Sequence, residues 1–229
     1  MRVKIILLTF FTLASILKSQ TQFVTTNPFP QHYFIENKGQ FNSNSEFSSA
    51  PDCELNDKDC DIQIFKNGFS CVAGSKQISQ IFTNTNPNAT IIVEGKTQHY
   101  FSYGLAKLNA YGYASVTIQN LYPNIDLRYE VHPEIASGFK YSIILKKGSN
   151  ISDISWKITG DDSSTWSSTA KTTIISKHLI INQTEWKVYD EIGTPVSLRF
   201  IREHDTVKLQ IQSYKLHEAY NIDPWVYTI

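Results

Sequence analysis

Strict alternation of apolar and polar residues limits how this chain can fold more than any other feature. Over 125–132, Ile125, Leu127, Tyr129 and Val131 take one parity and Asp126, Arg128, Glu130 and His132 the other. Phe139, Tyr141, Ile143 and Leu145 repeat the pattern over 139–146, Ile154, Trp156 and Ile158 over 154–159, and Val207, Leu209 and Ile211 over 207–212. A period of two sends successive side chains to opposite faces, so each stretch reads as a half-buried β-strand. Further strand-like runs fall at 62–66, 69–73, 78–83, 89–94, 99–103, 114–119, 172–176, 179–182, 186–189 and 196–202. Asn67-Gly68, between the first two of these runs, is a hairpin signal, because a tight type I′ turn needs positive φ at both central residues. The only helical piece expected after the N-terminal leader is one turn near 149–153. The expected fold class is all-β, an antiparallel β-sandwich-like domain. Its core is expected to include Ile125, Leu127, Tyr129, Phe139, Tyr141, Ile143, Trp156, Leu198, Phe200, Leu209 and Ile211.

Residues 1–19 read as a secretory signal peptide. Arg2 and Lys4 precede an apolar run over 5–17, and Ser19-Gln20 offers a small-residue cleavage point. That run is shorter than the ~20 residues a spanning helix needs, and no second long apolar run follows, so no integral membrane segment is expected. Residues 20–31 read as a linker or edge segment, and 32–229 as the all-β domain. Lys and Arg together equal Asp and Glu at 21 each, giving zero net charge. A nucleic-acid partner needs a basic surface, so none is expected. The chain is read as secreted or held at the cell surface.

Export permits a disulfide, and three Cys leave one thiol unpaired or bonded to another chain. Residues 42–59, rich in Ser, Asn and Asp, read as a surface loop. Cys53 and Cys60 share a polar loop and form the expected bridge; Cys60–Cys71, or no bridge, are the alternatives. Cys71 sits in an apolar strand and reads as a small buried residue.

Asp57, Asp59 and Asp61 have the one-three-five spacing of carboxylates in a Ca²⁺ loop. Ile62 then stands where such a loop needs Gly, and Gly68 where it needs Glu, so a solvated acidic loop is the preferred reading. Asp126, Arg128, Glu130 and His132 could form an acid–base group, but their spacing follows from the pleat alone. The six His lack the spacing of a zinc site, and neither a nucleophile elbow nor a phosphate-binding Gly loop is present. No cofactor and no catalytic residue is expected. Trp166, in the polar stretch 161–166, is the carbohydrate-contact candidate, weighed against a locally packed anchor.

Five phrases in order resemble a known family. They are Phe34-Ile35-Glu36-Asn37-Lys38-Gly39-Gln40, the stretch 95–101 ending in His99-Tyr100-Phe101, Leu121-Tyr122-Pro123-Asn124-Ile125-Asp126-Leu127, the stretch 139–154, and Asn221-Ile222-Asp223-Pro224-Trp225-Val226-Tyr227. The chain resembles the uncharacterised all-β N-terminal domain that precedes SBBP-type β-propeller repeats in secreted Bacteroidota proteins carrying type IX secretion signals. Asn124 and Lys147 stand where that family usually has Gly and Pro. The resemblance implies a non-catalytic extracellular structural or adhesive module, whose partner is a downstream repeat module of the same protein. A carbohydrate-binding module contacting surface glycans, or an accessory domain of a secreted hydrolase, is the alternative. It also implies that the chain stops where the next module begins. Asp223-Pro224 is expected to turn the chain, and 225–229 to form an unpaired apolar edge strand that promotes self-association.

Overall fold

The computed structural model describes residues 33–41, 43–49, 60–103, 108–132, 138–160, 163–166, 172–176, 179–203, 205–215 and 217–228. The expected signal peptide, the 20–31 segment, Cys53, Asp57 and Asp59 lie outside the described residues.

Among the described residues the regular structure is nearly all strand. In order the strands are β1 (Phe34–Glu36), β2 (Phe47–Ser49), β3 (Asp61–Phe65), β4 (Gly68–Ala73), β5 (Lys76–Phe82), β6 (Thr90–Glu94), β7 (Phe101–Tyr103) and β8 (Leu108–Ala110). Then come β9 (Gly112–Tyr113), β10 (Ser115–Tyr122), β11 (Ile125–Val131), β12 (Phe139–Leu145), β13 (Ser155–Thr159), β14 (Ser163–Trp166) and β15 (Thr172–Ser176). The last are β16 (Leu179–Gln183), β17 (Lys187–Asp190), β18 (Pro195–Val196), β19 (Leu198–Glu203), β20 (Thr206–Ile211), β21 (Tyr220–Asp223) and β22 (Trp225–Thr228). One 3-10 turn, Ile151–Asp153, forms where a helical turn was expected, and the Asn150 side chain caps it by accepting from the Ser152 N–H.

Two antiparallel sheets carry the fold. One runs β19-β20-β13-β5-β4-β3-β2-β1-β9; the other runs β14-β15-β16-β22-β12-β11-β10-β6, with β17, β18 and β21 attached beside it. β7 and β8 make a separate hairpin. The inner faces of the two large sheets meet through aromatic side chains. Phe69 of β4 meets Phe139 of β12 at 4.9 Å between ring centroids, and Trp156 of β13 stacks on Trp186 at 5.4 Å. Each such buried side chain contributes roughly 1.5–3 kcal/mol of transfer free energy.

Nine of the eleven expected core residues are buried; Leu198 and Phe200 are only half-buried. Their strand, β19, is the margin of its sheet, so one flank faces away from the core.

A buried polar chain ties the sheets together. Gln80 of β5 donates to the Tyr141 hydroxyl of β12 at 3.0 Å, and the Gln183 amide of β16 donates to the side-chain oxygen Oε1 of Gln80 at 2.8 Å. The Trp186 indole N–H completes the chain on Gln183 at 3.2 Å. Four side chains satisfy one another here, which is the condition under which buried polar groups fix a packing arrangement rather than weaken it.

Four local expectations need correction. The β3–β4 hairpin forms, but its central residues are Lys66 and Asn67, and neither has positive φ. Gly68 instead opens β4, with φ +157°, where a Cβ would sit 2.2 Å from the Gln80 carbonyl oxygen. The close approach of β5 is therefore what demands glycine. The polar stretch 42–59, expected to be a surface loop, contains β2, whose Phe47 is buried. The polar stretch containing Trp166 is likewise a strand, β14, paired with β15.

The fourth correction concerns the C-terminus. Asp223-Pro224 does not turn the chain. β21 pairs Leu145 with Tyr220 and Ile143 with Ile222, and β22 continues in the same register, Lys140 with Trp225 and Phe139 with Val226. β22 is not an unpaired edge either, because β16 flanks it on the other side, Gln183 facing Val226 and Ile181 facing Thr228. Pro224 offers no N–H to that neighbour. The neighbour adapts with a bulge: Thr184, Glu185 and Trp186 separate β16 from β17, while only Pro224 and Trp225 lie between their respective partners. The Thr184 hydroxyl accepts the Trp225 N–H at 2.9 Å, and the Thr184 N–H donates to the Trp225 carbonyl at 2.9 Å.

Candidate functional site

Of the carboxylates singled out by spacing, those that the structure describes are held by their own neighbours. Asp61, first residue of β3, accepts from the Ser48 hydroxyl at 2.6 and 2.8 Å, from Ser49 at 3.2 Å and from the Gln63 amide at 3.2 Å. The two serine donors, on β2, hold that strand against β3. Among the described residues no group of three or more His, Cys, Asp or Glu side chains could hold a metal ion.

Asp126 points outward from β11 but is nearly covered. It accepts the Asn120 N–H at 2.9 Å and pairs with Lys146 at 2.7 Å. Asn120 has φ +53° at an irregularity in β10, where the register slips between Ile118 and Tyr122. Asp126 thus secures that bulge, just before the tight turn through Pro123 and Asn124. Asn124 has φ +59°. Asn enters this left-handed conformation more readily than other residues with a Cβ.

Arg128 and Glu130 lie on the same face. Arg128 bridges Glu94 of β6 at 2.7 Å and Glu130 at 3.3 Å. Hydrogen bonding and charge from Arg128 hold the Glu94 carboxyl below its ordinary range. With both carboxylates committed to one guanidinium, the row is a cross-strand ion network and not a poised acid–base pair.

His132, at the end of the row, leads to the one half-exposed Trp of the described outer face. The Trp225 ring lies 4.6 Å from the His132 ring, with Lys140 Nζ 6.0 Å from its centroid. Lys140 pairs with Asp223 at 3.0 Å, and Asn221 donates to the same carboxylate at 2.9 Å. Such a ring, flanked by an imidazole, an ammonium and a carboxylate, offers a flat apolar face with polar groups at its rim. The sequence reading missed it by taking 225–229 for an edge strand. Parity carried the signal: Tyr220, Ile222 and Val226 are buried, which sends Trp225 to the outer face. Trp166 lies opposite Thr172, at the end of the marginal strand β14; its side chain lies outside what the structure describes.

A second concavity, of about 400 Å³, is lined by Ser197, Leu198, Arg199, Gln210 and Gln212. Arg199 donates to Gln210 within it at 2.6 Å. Among the described residues that line it there is no carboxylate or imidazole.

Among the described residues no helix is long and apolar enough to cross a membrane. Cys60 and Cys71 carry free, buried thiols, while Cys53, the other half of the expected bridge, is not described.

No curated protein and no solved structure matches the chain. A family model described as "Domain of unknown function (DUF7948)" matches residues 34–225, from the first residue of β1 to the first of β22, and the chain belongs to that family.

Proposed function

We propose that this chain is a non-catalytic extracellular module, a structural or adhesive part of a larger secreted or surface protein, joined at its C-terminal side to a repeat module. The seat of β22 carries this reading. The strand is bonded to β12 on one side and β16 on the other. A following module attached there would hang from the interior of a sheet. Tension on the joint would then have to shear two ladders together, which resists load better than peeling a marginal strand. β1, at the other end, is held the same way between β2 and β9. The commitment of Asp61, Asp126, Glu94 and Glu130 to intramolecular bonds also fits a module that does no chemistry.

Single-molecule pulling tests it. Load applied between residues 33 and 228 should unfold the domain in one step. The force should be higher than when the C-terminal handle is moved to the exposed Glu191-Ile192 turn. Equal forces, or early peeling of β22, would remove the mechanical argument. Hydrolysis of a polysaccharide or protein by the purified chain would overturn the non-catalytic reading.

A carbohydrate-binding module is the second reading, and the Trp225 platform with His132, Lys140 and Asp223 favours it. On a glycan array this reading expects saturable binding that Trp225→Ala or Trp166→Ala removes. Binding by neither the parent chain nor a multivalent display of it would discard this reading.

A further inference from the structure

The buried parity of the β3–β4 hairpin brings two thiols together. Cys60, Ile62 and Ile64 point into the core from one strand, and Phe69 and Cys71 from the other. Ile62 faces Cys71 directly in the register, so Cys60, two residues earlier on the same face, is the diagonal neighbour of Cys71. Side chains at that diagonal can meet across a sheet. Cys60 precedes the first ladder pair, Asp61 with Val72, so the backbone movement that a disulfide needs at this diagonal falls on a residue just outside the paired register.

We propose that Cys60 and Cys71 form a disulfide across this hairpin, which leaves Cys53 as the odd thiol. Bridge formation in the cell rests on the export proposed above; the chemistry of the pair does not. Hydrogen bonding with the Cys60 thiol, and then burial, push the Cys71 thiol well above its ordinary range, which is consistent with direct contact between the two. The same effect makes the folded thiol a poor nucleophile, because only the thiolate attacks. Closure therefore belongs to folding or to transient opening of the hairpin.

The oxidant is a small-molecule or protein disulfide, such as oxidised glutathione. One cysteine thiolate attacks a sulfur of that disulfide and expels a glutathione thiolate. The second cysteine, deprotonated, attacks the mixed disulfide, forms the Cys60–Cys71 bond and expels the other glutathione thiolate. Two electrons pass to the oxidant, and the two protons lost by the cysteines end on the glutathione thiols.

The sequence permits a clean readout. Trypsin cuts after Lys38, Lys58, Lys66 and Lys76, which puts Cys53, Cys60 and Cys71 on peptides 39–58, 59–66 and 67–76. The full chain is reduced, unfolded, refolded in a glutathione redox buffer, alkylated and digested without reductant. Peptides 59–66 and 67–76 should appear joined, two hydrogens lighter than their sum, with 39–58 carrying the alkyl label or glutathione. A joined 39–58 and 59–66, or labels on both 59–66 and 67–76, would overturn the proposal.

Cys53→Ala gives a second arm that leaves both thiols of the proposed pair in place. In that variant the joined pair should persist, and its loss in folded, oxidised protein would be decisive against the bridge. A loop of 12 residues, 60 through 71, predicts that oxidation shifts the unfolding equilibrium of this variant by on the order of 100-fold. The thiol state of the chain isolated from its native cells separates the two ideas. A bridge that forms during refolding but is missing from that native chain would overturn the export reading and leave the pair intact.

Discussion

Tyr129 and Tyr141 face each other across β11 and β12, and both side chains are fully buried. Their hydroxyls differ in one respect. Tyr141 receives the Gln80 amide at 3.0 Å, whereas the Tyr129 hydroxyl has no hydrogen-bond partner among the described residues. A buried polar atom without a partner is a cost, and removing it returns that cost. Tyr129→Phe should therefore be neutral or stabilising by up to about 1 kcal/mol. Tyr141→Phe leaves a donor of Gln80 unanswered inside the cross-sheet chain and should destabilise by about 1–3 kcal/mol. Urea unfolding of the two single variants decides it, and the ranking would be refuted if Tyr129→Phe proved the more damaging. Asp126 shows how far a single residue could be read in advance. Its parity marked it only as one of an outward-facing row. The bond to the Asn120 N–H gives it a role at a bulge that leaves no mark in the alternation.

Among the strands, legibility followed length and parity. The alternating runs of β3, β4, β5, β10, β11, β12, β13 and β20 were apparent because five or more residues are enough to define a period of two. β2, β14 and β22 have three or four residues each, too few for a period. Their strand character comes from distant partners: β2 from β1 and β3, β22 from β12 and β16. Pro224 misled for a physical reason. Proline bars a regular ladder on the flank that needs its N–H, but here that flank holds the bulge at Thr184–Trp186, and β12 on the other flank keeps its register. The candidate platform was missed because the strand that bears it, expected at an unpaired edge, lies between β12 and β16. It follows that the C-terminal strand stabilises the sheet and is not an association hazard. Deleting residues 224–229 should abolish cooperative unfolding and produce aggregates in sizing experiments. The intact domain should elute without them. Val226, 1% exposed, gives the milder version: Val226→Ala should cost about 1–3 kcal/mol with the fold preserved. A soluble, cooperatively folded 224–229 deletion would mean that β12 and β16 can close on each other without β22.

At the scale of the whole molecule, the buried phenols set an alkaline limit on stability. Burial, partly offset by its bonds to Ser155, pushes the Tyr122 hydroxyl up to about 12. Burial pushes Tyr129 and Tyr141 well above their ordinary value. In the unfolded chain a tyrosine loses its proton near pH ~10. Each of the three is raised on folding, so its contribution is complete below about pH 10 and is lost as pH rises toward the folded value. Above that point the unfolded chain has released protons that the native chain keeps. Stability then falls by about 1.4 kcal/mol per pH unit for each such group. Three groups together give a slope near 4 kcal/mol per unit, steep against a typical total of roughly 5–15 kcal/mol. Lys147 and Lys215, raised by hydrogen bonds to Glu191 and Glu218, act with the same sign, but they are exposed and add little. The chain should therefore be insensitive to pH between about 8 and 9.5, and should unfold cooperatively between about 11 and 12. The tyrosinate absorbance should rise in the same step as the loss of β-sheet circular dichroism, because the buried phenols cannot ionise in place. Tyr122→Phe should reduce the slope by one proton equivalent. Gradual tyrosinate formation from pH ~10, ahead of any loss of structure, would mean that these hydroxyls are open to solvent and that the packing between the two sheets is looser than described.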